Sequence, residues 1–181
     1  WQVMSIRNLL LSFVMLLFLS ACATITEDIQ VETETAPGVN LADYKSFAWV
    51  ASAEIVNDPY GNWEPTDFDA DAEIKFLLLK ELRDKGLEET TRNPDLLLVF
   101  AAGVDMQNLE FVEDSKTKLS SLEEVPKGAL LVIMVDSRTR HAIWAGIAKG
   151  DVKADRSNED VRKRLTYAVN TMLADWGKSA Q

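Results

Sequence analysis

The chain has 181 residues, 47% of them hydrophobic, and carries 19 lysines and arginines against 29 acids for a formal charge of −10. So acidic a protein has no overall electrostatic pull toward nucleic acid or anionic lipid surfaces, which argues against a nucleic-acid partner. One cysteine and one histidine leave little material for disulfides, thiol chemistry or a histidine-based metal site.

The first feature in chain order is an apolar run, Leu9 to Leu19, interrupted only by Ser12. Eleven residues make a helix of about 16 Å, roughly half of the ~30 Å hydrocarbon core of a bilayer. Arg7 precedes the run, and the small residues Ser20 and Ala21 follow it, the layout of a secretory signal. Met4 looks like the natural start, with Trp1–Val3 an upstream extension. The stretch Leu19-Ser20-Ala21-Cys22 resembles a bacterial lipobox. That resemblance implies cleavage before Cys22, diacylation of its sulfur and usually a third acyl chain on the new amino terminus. Several acyl chains anchor stably where one is marginal, so Cys22 is expected to hold the protein to a membrane. The competing reading, a buried or disulfide-bonded cysteine, lacks a second cysteine. Ala23, in place of an aspartate, implies by the same resemblance to Gram-negative lipoproteins the periplasmic face of the outer membrane. Residues 1–21 are therefore expected to be a signal peptide and 22–28 a lipidated tether. Residues 29–177 are expected to form a single domain, and the mature chain from Cys22 onward carries eighteen cations against twenty-nine acids.

Residues 29–35 alternate apolar or β-branched with polar and predict a half-buried strand. Pro37-Gly38 is a turn signal, and Tyr44 to Val50 is rich in strand formers. A Pro/Gly loop over residues 51–66 precedes a helix from about Asp67 to Lys85, with Ile74, Leu77, Leu78 and Leu82 on one face. Gly86 is placed to end it in a left-handed cap with Leu87 packing back. Leu96 to Ala102 is apolar throughout, as in a central strand covered on both faces or at a tight interface. Residues 105–127 are acidic and weakly patterned and predict a long excursion. Ala129–Asp136 and His141–Val152 predict an antiparallel hairpin. Ser157 or Asn158 caps a last helix, with Val161, Leu165, Ala168, Met172, Leu173 and Trp176 as its apolar stripe and Gly177 as its end. The order β-β-α-β-β-β-α predicts an α+β two-layer sandwich, a mainly antiparallel five-stranded sheet with both amphipathic helices on one face.

Several of these segments together resemble the bacterial lipoproteins known as domain of unknown function 4136. They are Tyr44-Lys45-Ser46-Phe47-Ala48-Trp49, Leu82-Arg83-Asp84-Lys85-Gly86-Leu87 and Pro94-Asp95-Leu96-Leu97-Leu98-Val99. Gly128 to Val152 adds Val135-Asp136-Ser137-Arg138-Thr139 and Ile143-Trp144-Ala145-Gly146. The resemblance covers most of residues 29–176 but departs at 104–127, where relatives often carry an aromatic, glycine-rich stretch. It implies a periplasmic α/β-type lipoprotein domain and brings no catalytic residues.

No candidate site stands out. His141, beside Arg138 and Arg140, has no partner histidine and reads as a turn residue. The acids Asp67, Asp69 and Asp71 alternate as in a calcium loop. The required sixth-position Gly and twelfth-position Glu are Ala72 and Leu78, so helix-dipole complementation explains them better. Trp49, Trp144 and Trp176 lie on apolar patterns and read as core. Tyr60 and Trp63, in the Pro/Gly loop, are candidates for stacking on a sugar or anchoring a partner; the alternative is folding back over the core edge. Arg162, Lys163 and Arg164 could meet a lipid head group or simply form a solvated helix face. Glu110, Glu113, Asp114, Glu123 and Glu124 offer carboxylates with no pairing in their spacing. The expectation is a non-catalytic binding or envelope-assembly module without a cofactor or metal. Its partners would be the membrane, through Cys22, and an envelope protein. The alternatives are an envelope hydrolase using carboxylates and a structural subunit of an envelope complex.

Overall fold

A computed structural model describes residues 25–61, 67–106, 109–113, 120–124, 126–153 and 155–176, with backbone alone at 109–113 and 120–124. Among the described residues there are eight strands and two α-helices: β1 (Gln30–Thr35), β2 (Ser46–Asn57), α1 (Ala70–Asp84), β3 (Glu88–Glu89), β4 (Leu96–Asp105), β5 (Leu109–Glu113), β6 (Ser120–Glu124), β7 (Lys127–Asp136), β8 (Ala142–Asp151) and α2 (Asn158–Leu173). A six-stranded sheet has the order β1-β8-β7-β4-β2-β3, and β5 and β6 form a separate hairpin.

The α+β class and the pair of helices agree with the sequence; the sheet does not agree in detail. It has six strands, not five, and is mixed, because β2 runs parallel to both β3 and β4. The physical reason is the connection. The chain leaves β2, passes through α1 and re-enters the sheet at its starting end, so the next strand is delivered parallel. β2 also continues to Asn57, through seven residues expected to be loop, because the ladder to β4 carries it. The excursion at 105–127 contains the β5–β6 hairpin.

Burial alternates along β4 and β7. Leu96, Leu98, Phe100, Leu130, Val132 and Met134 are buried under the helices. Ile74, Leu78 and Leu82 of α1 and Val169, Met172 and Leu173 of α2 complete that layer. Each such side chain contributes about 1.5–3 kcal/mol by leaving water. In β8 a register shift places consecutive residues Ile143 and Trp144 both inward. Trp144 meets Trp176 edge-on at 5.9 Å, and Trp49 lies between Phe47 and Phe100 at 5.6 and 6.0 Å. All three tryptophans therefore pack as expected.

The helix ends follow their chemistry. Asp69 caps α1 by accepting from Ala72 N, three residues into the expected acidic run, and Asp71 pairs with Lys75. Gly86, at φ +85°, lets Leu87 N reach Leu82 O and Gly86 N reach Arg83 O, each at 2.9 Å. Ser157 caps α2 through Asp160 N. Gly177 lies outside the described residues.

Arg164 departs from both readings of the basic cluster, because it is 9% exposed and turned inward, whereas Arg162 and Lys163 stay on the solvated helix face. Its guanidinium donates to both carboxylate oxygens of Asp28 at 2.6 Å, to Asp151 O at 3.2 Å and to Ile25 O. Asp28 also accepts from Asp151 N at 2.6 Å. Burial would raise the Asp28 pKa, but the Arg164 and Asp151 hydrogen bonds and the guanidinium charge outweigh it and hold it at about 2. A Cβ on Gly150 would stand 2.7 Å from Arg164 Nη2 and 3.1 Å from Asp28 Oδ2, so glycine leaves room for the pair. Arg162 instead bonds Glu73 and lies over Phe68, and Lys163 pairs with Glu159.

Two outcomes follow. A Cβ at Gly146 would lie 2.5 Å from Met172 Cγ and 2.6 Å from the Trp144 ring. Gly146→Ala should therefore cost about 1–3 kcal/mol in urea unfolding by overpacking. Asp28 has a depressed folded pKa, so its contribution is whole above the unfolded value near 3.9 and is lost as the pH falls toward about 2. Asp28→Asn should flatten that acid limb and lower stability at neutral pH by about 1–2 kcal/mol, discounted for partial solvent screening.

Candidate functional site

Three segments meet at the end of the sheet where β2 and β4 begin and β7 ends. A cleft of about 450 Å³ opens there, lined by Gly38, Val39, Asn40, Asp43, Tyr44, Asp95, Asp136 and Arg138. Its wall begins with a 3₁₀ turn, Leu41–Asp43, capped by Asn40, whose side chain also donates to Asp43 Oδ1 at 2.9 Å.

Asp95, just before β4, accepts at one oxygen from Lys45 N, Ser46 N and Ser46 Oγ, at 2.9, 3.0 and 2.9 Å. Ser46 Oγ in turn accepts from Asp95 N at 3.0 Å. Asp136 closes β7 and is only 3% exposed. Its Oδ1 accepts from Thr139 N and Arg138 N at 2.8 and 2.9 Å, and its Oδ2 accepts from Tyr44 Oη at 3.0 Å. The Arg138 guanidinium stands 3.8 Å from Asp136 Oδ2 and is otherwise in solvent. Ser137 joins the two carboxylate centres, donating from N to Asp95 O at 2.9 Å and from Oγ to Pro94 O.

The electrostatics follow from these donors. The Lys45 N–H, helped by Ser46, lowers the Asp95 pKa against the opposing effect of burial. The Thr139 N–H, with Tyr44 and the Arg138 N–H, does the same for Asp136. Burial, then the bond to Asp136, raises the Tyr44 pKa. Both carboxylates are therefore held ionised, whereas a general acid working near neutrality needs its pKa raised. The site is built to order strand ends, with Asp43 and Arg138 as its exposed charges.

The sequence had placed its candidates elsewhere. Tyr60 is 70% exposed, just past β2 at the opposite end of the sheet. Trp63, Asp114 and the lipobox residues Leu19, Ser20, Ala21 and Cys22 lie outside the described residues. His141 is exposed at the β7–β8 turn, its carbonyl accepting from Asp136 N at 2.9 Å. The backbone register of β5 and β6 sets Glu110 opposite Glu123. Among the described residues no group of three or more His, Cys, Asp or Glu side chains is placed to hold a metal. No single-residue signal marked the cleft. Tyr44, Asp95, Asp136 and Arg138 lie in separate sequence segments, and only the fold brings them together.

A family profile, domain of unknown function 4136, matches residues 31–176. The chain belongs to the DUF4136 family. A DUF4136 family protein from Bacteroides thetaiotaomicron has a similar structure, with 13% identity and TM-score 0.54 over 82% of this chain and 95% of that one. A PDZ domain protein from Parabacteroides distasonis is similar at 15% identity and TM-score 0.51, over 90% of this chain but 40% of that longer one. The PelC dodecamer from Paraburkholderia phytofirmans matches at 14% identity and TM-score 0.47, over 83% and 99% of the two chains. The first two share the fold. No curated protein matches this chain.

Asp95→Ala would strand three donors at the start of β2. It should cost about 1–3 kcal/mol, read by thermal or denaturant unfolding, with faster amide exchange at Lys45 and Ser46.

Proposed function

We propose that this DUF4136 protein is a lipoprotein of the bacterial envelope, anchored through Cys22 at the periplasmic face of the outer membrane, and that it acts by binding rather than by catalysis. The anchor reading rests on the lipobox-like Leu19–Cys22 at the end of a short apolar run. The binding reading is carried by one observation, the second face of the sheet. Leu97 and Val99 of β4, Leu131, Ile133 and Val135 of β7, and Ile147 of β8 are paired side by side on the face opposite the buried layer, and all are half-buried. Neither helix packs there. Glu32 and Glu34 of β1, in register with Ile147 and Ala145, give that face an acidic border. An apolar surface so bordered suits an envelope protein with an apolar patch edged by cations.

The hydrolase alternative needs a carboxylate with raised pKa, and the two in the cleft are shifted the other way. The structural-subunit alternative draws on the exposed apolar residues Val50, Ile55, Val56 and Tyr60 around the 51–66 segment.

Two measurements test the proposal. Cys22→Ser should abolish fatty-acid labelling and signal processing; unchanged processing and membrane fractionation would sink the anchor. A photo-crosslinking residue at position 133 should give one discrete protein adduct in intact cells, with none from position 92. Absence of any adduct at 133 would count against a protein partner on this face.

A further inference from the structure

The strand register sorts the molecule's features between two ends. Asn57, Asp105, Lys127 and Asp151 form one row across β2, β4, β7 and β8. Asp28 joins this row through Asp151 N. The cleft around Asp95 and Asp136 lies at the other end, with Arg92 in the segment leading into β4. The row end holds Ile25, where the described chain begins, and three large apolar side chains left in water: Ile55, Val56 and Tyr60.

The lead from the proposed anchor to the folded domain is short. Residues 22–28 read as a lipidated tether, and within it Arg164 grips both the Ile25 carbonyl and the Asp28 carboxylate. Only Ala23 and Thr24 separate Cys22 from the gripped Ile25. Three Cα–Cα steps reach at most about 11 Å, shorter than the domain's own strands.

From this we infer that the Arg164–Asp28 latch sets the domain's orientation on its membrane, holding the Ile25/Tyr60 end against the lipid surface and the Asp95/Asp136 cleft away from it. The inference rests on the proposed acylation of Cys22. With so short a lead the row end cannot leave the interface, and Ile55, Val56 and Tyr60 then meet the head-group region. An aromatic ring with a polar tip is suited to that depth. Charge points the same way. Residues 149–164 carry six cations against four acids, leaving twelve against twenty-five in the rest of the mature chain. An anionic surface therefore repels the remainder more than this segment, of which Lys149 and Lys153 are exposed.

The test uses lipidated full-length protein purified from membranes and reconstituted in vesicles containing anionic lipid and a head-group spin label. A fluorophore is attached at Lys153→Cys or, at the far end, at Arg92→Cys. The orientation predicts quenching at position 153 several-fold stronger than at 92. Inserting twelve Gly/Ser residues between Ala23 and Thr24 leaves the latch untouched and should bring the two positions close to equal. Arg164→Gln should shift them the same way, with circular dichroism checking its fold, and the insertion keeps the test decisive if that variant unfolds. Equal quenching in the native protein, or a difference that survives the insertion, overturns the orientation while the anchor stands. Protein that carries no acyl chain by mass spectrometry and does not float with vesicles overturns the anchor, and the orientation with it. Protection of position 153 from both lipid and aqueous quenchers would place a protein there and also overturn the lipid contact.

Discussion

The parallel pair β2–β4 is the element on which the rest of the sheet is built, and a single carboxylate oxygen of Asp95 secures its beginning. Two strands that begin about fifty residues apart in sequence have no turn to set their register, unlike the β7–β8 hairpin. Three donors from Lys45 and Ser46 on one oxygen supply what a turn would supply. With that origin in place, the ladder runs from Phe47–Leu96 to Asn57–Asp105, absorbing one extra residue near Val50. Ser137 then ties the end of β7 to the same corner, so the three strand ends are held as a unit.

At the opposite end a second ionic centre does comparable work with different chemistry. Arg164 comes from the last helix and Asp28 from before the first strand, so their pairing ties α2 to the segment that leads into β1. A buried guanidinium is costly unless its donors are met. Here a carboxylate and two backbone carbonyls meet them. Both centres keep aspartates ionised, one with a guanidinium and the other chiefly with backbone N–H groups, and neither resembles an acid–base pair poised for turnover.

Between these ends the layering is lopsided. One sheet face is sealed by two helices whose leucines and methionine fill it, while the other keeps a run of half-buried aliphatic residues that neither helix covers. The apolar run Leu96–Ala102 anticipated this. A strand with a polar outer face would alternate, and this one does not. The sequence therefore announced both that the two faces of this strand are apolar and that the two helices share one sheet face, as they do.

Much was legible residue by residue because it depends on neighbours in the chain. The cap at Gly86, the hydroxyl cap at Ser157, the inward stripes of both helices and the hairpin near Asp136 are local matters of φ, hydrogen-bond reach and periodicity. The lipobox-like stretch at Cys22 is likewise a short linear pattern. The mixed sheet, the full length of β2 and the extra strands were not legible, because pairing partners are chosen by distant segments. Nor was the role of Arg164, whose sequence neighbours Arg162 and Lys163 do remain at the surface. By itself the sequence determined an acidic α+β domain with two core-packed helices and the DUF4136 pattern. Only the tertiary structure decided that Asp95 and Asp136 share a cleft and that Arg164 grips the tether, because both depend on contacts between residues 40 to 140 positions apart.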